Sequence, residues 1–201
     1  MNSTEDRRIT RTKEAICAAL VALIEEKGFE ALSVKDIAIK ANINRGTFYL
    51  HYKDKFDLLD QTLDQVVQDM ERILLEIRLV SVADFKETWI PKAIATKLFE
   101  YFNDNASLIQ AILVTKGNFV LVTKLKQLML KNIFEKDEAI SIKKEKLLVP
   151  CEYLASYIAS AHFGVVQEWL DRGRRETPEE MAEILLNITF RGPLVAAGVF
   201  S

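Results

Sequence analysis

The chain is poor in residues that interrupt helices and in residues that do covalent or metal chemistry. Its 201 residues include seven Gly and four Pro, too few turn formers for a sheet built on tight turns. There are only two histidines and two cysteines. His162 has no Cys, His or Asp at metal-ligand spacing, so no metal or other cofactor is expected. The sequence holds no phosphate loop, dinucleotide fingerprint or nucleophile elbow, which argues against an enzyme. No apolar run reaches the roughly 20 residues needed to span a bilayer. The polar start, MNSTEDRRITRTK, precedes no signal-peptide core. These absences lead to the expectation of a cytoplasmic protein with no membrane partner. Cys17 and Cys151 fall within helical apolar patterns. A structural disulfide is not expected in a reducing cytosol, and each thiol reads as a small buried hydrophobe ahead of a redox switch.

What is present is helix. Hydrophobic residues make up 49% of the chain, enough for a globular core. The formal net charge of −2 does not announce a nucleic-acid protein, but its distribution is uneven. Residues 1–55 carry ten Lys/Arg against eight Asp/Glu, and the remainder carries 17 against 21. The excess of positive charge sits at Arg7, Arg8, Arg11 and Lys13, and again from Lys35 to Lys55.

The segment SVKDIAIKANINRGTFYLHYKDK, from Ser33 to Lys55, is the most informative. Val34, Ile37, Ala38 and Ala41 recur at helical spacing and make one apolar face. Ser33 is placed to cap that helix, Asn42 to end it in the left-handed conformation, and Asn44 to cap the next. Ile43 plugs the turn, and Ala38 is small enough for close crossing. This is the pattern of a helix-turn-helix whose second helix enters the major groove. Arg45 and Thr47 lie in the first turn of that helix, where base edges are reached. Tyr49, His51, Lys53 and Lys55 offer donors to phosphate. Ser33, Lys35 and Gly46 complete the expected contact set, and Phe48 and Tyr52 face inward. Ahead of this unit, Arg7, Arg8, Arg11 and Thr12 either reach the DNA or form a frayed, solvated arm.

The residues Leu32-Ser33-Val34-Lys35-Asp36-Ile37-Ala38, Gly46-Thr47-Phe48-Tyr49 and His51-Tyr52-Lys53-Asp54-Lys55 resemble the TetR family of transcriptional regulators. The likeness covers about the first sixty residues. Asn42 stands where the family often has Gly, and Asn44 where it often has Ser. Phe163 to Leu170 and Thr177 to Ala182 are similar to a C-terminal domain type common in Firmicutes members. The resemblance implies an all-α homodimer of about nine helices, with a three-helix DNA-binding domain over 1–53 and a ligand-binding and dimerisation domain over 54–201. It implies a repressor released from a double-stranded palindromic operator by an unidentified small-molecule effector. A ligand-independent coactivator or interaction protein on the same fold is the alternative.

Within 54–201, helices are expected from about Asp54 to Leu79, from Pro91 to a break at Asn103-Asp104-Asn105, and then on to Leu113. Others follow from Phe119 to Phe134, from Lys146 to Arg172 and from Thr177 to Arg191, with Glu135 to Lys146 as a charged loop. The first of these joins the DNA-binding domain to the rest without a flexible linker. A ligand pocket is implied by the resemblance, with Trp89, Phe99, Phe102, Phe119, Tyr153, Tyr157 and His162 as candidate lining. Any one of those aromatics is equally a core residue. The inner stripe of the penultimate helix reads as Cys151, Leu154, Ile158, His162, Val165 and Trp169, flanked by small residues. The last two helices are expected to meet a symmetry mate through Leu154, Ala155, Ile158, Ala159, Leu185 and Ile188.

Overall fold

The computed structural model describes residues 3–76, 92–115, 117–131 and 147–199. Among these the chain is all-helical, with α1 Ser3–Lys27, α2 Val34–Lys40, α3 Arg45–Tyr49, α4 Lys55–Leu75, α5 Lys92–Asp104, α6 Ala106–Leu113, α7 Gly117–Met129, α8 Cys151–Asp171 and α9 Pro178–Ala196. Trp89, Pro91, Ile77 and the Glu135–Lys146 segment lie outside the described residues. The residues form two compact units, Met1–Gln65 with Ser107–Asn118, and Val66–Ala106 with Phe119–Ser201. The division falls inside α4, not at its start as expected.

In the first unit, Ile16, Leu20, Leu23 and Ile24 of α1 are all buried. They recur every three or four residues, so they lie on one face of the helix. The α1 helix begins at Ser3, so Arg7, Arg8 and Arg11 are carried on regular helix and not on an arm. Gly28 ends it at φ 76°, where a Cβ would be strained, and its N–H donates to the Ile24 carbonyl at 2.9 Å. Burial of Ile37 and Ala38 sets α2 against α1. Asn42, at φ 54°, makes the left-handed turn, and the Ile43 N–H closes it on the Ala38 carbonyl at 2.9 Å.

In the second unit α5 packs along α9. The core around Phe99 includes Phe102 and Trp169, the latter an edge-on neighbour with ring centroids 5.4 Å apart. The Trp169 Nε1–H donates to the Glu176 carbonyl at 3.0 Å, which satisfies the indole's one donor. The α8 face that is buried carries Ala155, Ala159, Phe163, Val166, Trp169 and Leu170. The expected stripe of Cys151, Leu154, Ile158, His162 and Val165 is only half-buried, so the helix is rotated by about one residue, roughly 100°. The cause is visible in the sequence. Apolar or small residues cover most of the circumference of α8, so periodicity alone does not choose its inner side. Thr177 caps α9 in a reciprocal pair with Glu180, and Pro178 takes its first turn. Gly192, at φ 77°, kinks α9 ahead of Pro193.

Candidate nucleic-acid interface and ligand cavity

The helix-turn-helix is held by side chains that spend their polar atoms on the backbone. Ser33 Oγ donates to Asp36 Oδ2 at 2.6 Å and accepts from the Asp36 N–H at 3.2 Å, while the Ser33 N–H returns to Asp36 Oδ2 at 2.9 Å. These bonds from Ser33, followed by Lys27, hold the Asp36 carboxyl down at about 2. Ser33 is thus a cap, and its hydroxyl proton is not available to a phosphate. Asn44 Oδ1 accepts from the Thr47 N–H at 2.7 Å and from Thr47 Oγ1 at 3.1 Å. A Cβ on Gly46 would come within 3.1 Å of that oxygen, so the missing side chain makes room for the cap. Phe48 is fully buried between Tyr49 and Tyr52, with ring centroids 5.6 Å apart in both pairs.

This leaves a defined outer face. Arg45 is exposed at the start of α3, its guanidinium 3.3 Å from the Tyr49 hydroxyl and 5.9 Å from the ring centroid. Tyr49 is half-exposed, Lys35 and Lys53 are exposed, and His51 is half-buried against Tyr52. Along the first turns of α1, Arg7, Arg8 and Arg11 line an open groove with Thr12, Ala15 and Ile43 of the turn. Exposed guanidinium and ammonium groups carried on rigid elements beside a recognition helix are suited to phosphate.

Lys55 departs from the expected set. Its ammonium donates to the carbonyls of Phe29, Glu30 and Leu32 at 3.0, 2.9 and 3.0 Å. It also sits 5.0 and 5.3 Å from the ring centroids of Phe29 and Phe56. An ammonium has three N–H donors, and all three are taken. Lys55 is corrected from a phosphate contact to a staple that ties the start of α4 to the turn between α1 and α2.

The second unit encloses a cavity of about 90 Å³. Phe99, Phe102 and His162, expected from the sequence, line it. Phe119, Tyr153 and Tyr157 do not. They are 82%, 73% and 60% exposed, and are corrected to surface residues. The α8 rotation explains both tyrosines, since turning Ala155 and Ala159 inward turns 153 and 157 out. The sequence reading missed Met70 and Leu74 of α4, Leu125 and Leu128 of α7, and Thr189 of α9. Thr189 carried the one available signal, a lone hydroxyl four residues after Leu185 within the apolar pattern of α9.

That hydroxyl donates to the Leu185 carbonyl at 2.7 Å, and His162 Nε2 lies 3.0 Å from it. Burial pushes the His162 imidazolium down to about 4, so the ring is neutral at pH 7. An unfolded histidine protonates near 6.5. The folded form is therefore fully favoured above pH 6.5, and that preference falls as the pH drops from 6.5 through about 4. The loss is on the order of 3 kcal/mol at most, from about 1.4 kcal/mol per pKa unit. Chemical denaturation of the second unit at pH 7 and pH 4.5 should show it, and His162→Gln should remove most of the difference. The same slope in both proteins would assign the acid sensitivity elsewhere. Cys17 and Cys151 are free thiols, and burial raises the Cys17 thiol, which makes it a poor nucleophile.

The outer face of α8 and α9 is a groove lined by Ala161, Gly164, Val165, Ile184 and Ile188. Of the six residues expected at a dimer seam, Ile188 is on this groove. Ala155 and Ala159 are 1% and 2% exposed inside their own protomer, Leu185 lines the cavity, and Leu154 packs on Ala155. Ile158 is half-buried. Ala155 and Ala159 are corrected to core. No described helix is long and apolar enough to cross a membrane. Among the described residues no group of three or more His, Cys, Asp or Glu is placed to hold a metal ion.

Residues 16–62 match the description of bacterial regulatory proteins of the tetR family, and residues 87–191 match that of a transcriptional regulator C-terminal region. The chain is similar to YxbF, an HTH-type transcriptional regulator of Bacillus subtilis (strain 168), at 20% identity over 82% of this chain and 41% of the relative. It is similar to YerO of the same organism, also named as an HTH-type transcriptional regulator, at 26% identity over 79% of this chain and 55% of the relative. The chain therefore spans about half the length of these curated relatives. A TetR-family regulator structure from Syntrophomonas wolfei overlays with a TM-score of 0.68 at 21% identity, covering 95% of this chain and 97% of that one, which is a likeness of fold.

Proposed function

Because the chain belongs to the TetR family of transcriptional regulators, we propose that it is a cytoplasmic, dimeric DNA-binding repressor released from a palindromic operator by a small molecule. The observation that carries the DNA half of this reading is the capped α3 helix. Asn44 fixes its first turn, buried Phe48 fixes its rotation, and Arg45 is left exposed at its N-terminal end, where base edges are reached. Lys35, Lys53, Tyr49, His51 and the arginines of α1 serve the phosphates. The groove beside Gly164 is the seam for a second copy. The cavity supports the effector half, since Met70 and Leu74 on its wall belong to α4, whose first half lies in the DNA-binding unit. A ligand that displaced them would act on a helix shared by both functions. The small volume, about 90 Å³, favours a second reading, a regulator with no effector, because drug-sized ligands occupy roughly 300–1,000 Å³.

The test is selection of duplexes from a random pool by the purified protein. An enriched inverted repeat is expected. On that site Arg45→Ala should lose about 1–3 kcal/mol of discrimination against scrambled DNA. Thr47→Ala should lose less, because its hydroxyl also serves Asn44. Equal losses on selected and scrambled duplexes would show that these residues do not read bases.

A further inference from the structure

The cavity wall carries two polar side chains, His162 and Thr189, and no charged one. A carbonyl can only accept, so the bond from Thr189 Oγ1 to the Leu185 carbonyl uses the one hydroxyl proton. With the hydroxyl proton on that carbonyl, His162 Nε2, 3.0 Å from the same oxygen, is the protonated nitrogen and the donor. That fixes the tautomer and leaves Nδ1 with a lone pair. The Thr189 oxygen keeps one lone pair as well. Every proton of the pair is spent, and what the wall has left to offer is acceptors.

We propose that this cavity binds a small, uncharged, mostly apolar molecule that carries one O–H or N–H donor, the chemistry of a simple phenol. The inference rests on the reading of the cavity as an effector site and names the class of effector. A carboxylate or phosphate would meet lone pairs and no cation. It would have to protonate His162, whose burial holds it neutral. A cation would lose its water without gaining a counter-charge. A molecule with no polar group would forgo any bond to these acceptors. Size points the same way. About 90 Å³ is below the roughly 150 Å³ that admits benzene in an engineered apolar cavity. A single ring enters if Met70 and Met129 shift, and methionine is the residue best able to do so.

The experiment is calorimetric titration of the full chain with phenol, toluene and benzoate, which have closely similar shapes. Phenol is expected to bind about five- to tenfold tighter than toluene, the ratio for one hydrogen bond, and benzoate not measurably. His162→Phe combined with Thr189→Val removes both acceptors and should erase the preference of phenol over toluene while toluene still binds. Should that variant misfold, Thr189→Val alone keeps the ring and frees the Nε2 proton. In that protein anisole, which only accepts, should gain on phenol. Equal binding of phenol and toluene by the unaltered chain, benzoate binding as tight as phenol, or no binding of any of the three would overturn the proposal. Operator release is read separately. Phenol that binds without changing operator affinity leaves the ligand class standing and removes the effector reading. Release by a molecule that does not compete with phenol keeps the effector reading and removes this cavity from it.

Discussion

Lys55→Met should destabilise the DNA-binding unit by about 2–3 kcal/mol, because three carbonyls lose a charged donor at once and charge-assisted bonds contribute about 1.5–3 kcal/mol each before solvent takes their place. The net loss falls below the plain sum of the three because the Glu30 bond is exposed and water can replace it, and water also reaches the two part-buried carbonyls once the ammonium is gone. Methionine keeps the apolar stem against Phe29 and Phe56 and removes only the ammonium, so the change reports on the bonds and not on packing. Denaturation monitored by the tyrosines of the unit would give the loss. Among folded molecules, the dependence of operator affinity on salt should be unchanged, since an ammonium committed to protein carbonyls releases no counterion from DNA. A salt slope lowered by about one unit per half-site, with unchanged stability, would return Lys55 to the phosphate contacts.

Gly164→Arg should convert the proposed dimer to a folded monomer. Gly164 is exposed on the α8–α9 groove, and a Cβ built on it meets nothing within 4 Å in its own protomer. The substitution therefore does not damage the protomer, and replacing Gly inside a helix gains about 0.5–1 kcal/mol in propensity. Across a two-fold seam the long guanidinium side chain meets its symmetry-related copy and holds the small-residue surfaces apart, whichever of the groove's carboxylates, Glu168 or Glu176, it pairs with. Operator affinity should fall by about 10²–10⁴-fold, the advantage of holding two half-site readers together. Sedimentation gives the assembly state and thermal unfolding gives protomer stability. A variant that is still dimeric would place the interface elsewhere. Ala159→Arg is not a fair probe of the seam, because Ala159 lines the cavity and its replacement would unfold the unit whatever the assembly.

Local signals were legible in the sequence. The caps at Ser33, Asn44 and Thr177, the left-handed stops at Gly28, Asn42 and Gly173, and the kink at Gly192 depend on a few adjacent residues, and each was readable from them. Arg174 was not. It holds φ 55° while its guanidinium donates to the Asn103 carbonyl and side chain at 3.2 and 2.9 Å, a contact across 71 residues that no local pattern encodes. Lys55 misled for the same reason, its carbonyl partners lying 23 to 26 residues back. On α8 the obstacle was different. A helix that is apolar or small on most sides gives no moment to orient it, so Tyr153 and Tyr157 read as cavity lining and Ala155 and Ala159 as seam, the reverse of their exposure. The hydrogen-bonded pair at His162 and Thr189 joins two helices and needed both in place.

If two copies of the chain read one duplex through paired α3 helices, the contacts on DNA must carry the two-fold symmetry of the pair. Hydroxyl-radical footprinting on the selected duplex reads that symmetry. Two equivalent protected patches related by two-fold symmetry are expected, their centres one helical turn (roughly 34–36 Å) apart, and both weakened in Arg45→Ala and in Gly164→Arg. A single asymmetric patch, or protection indifferent to both substitutions, would mean that the chain does not read DNA as a symmetric pair.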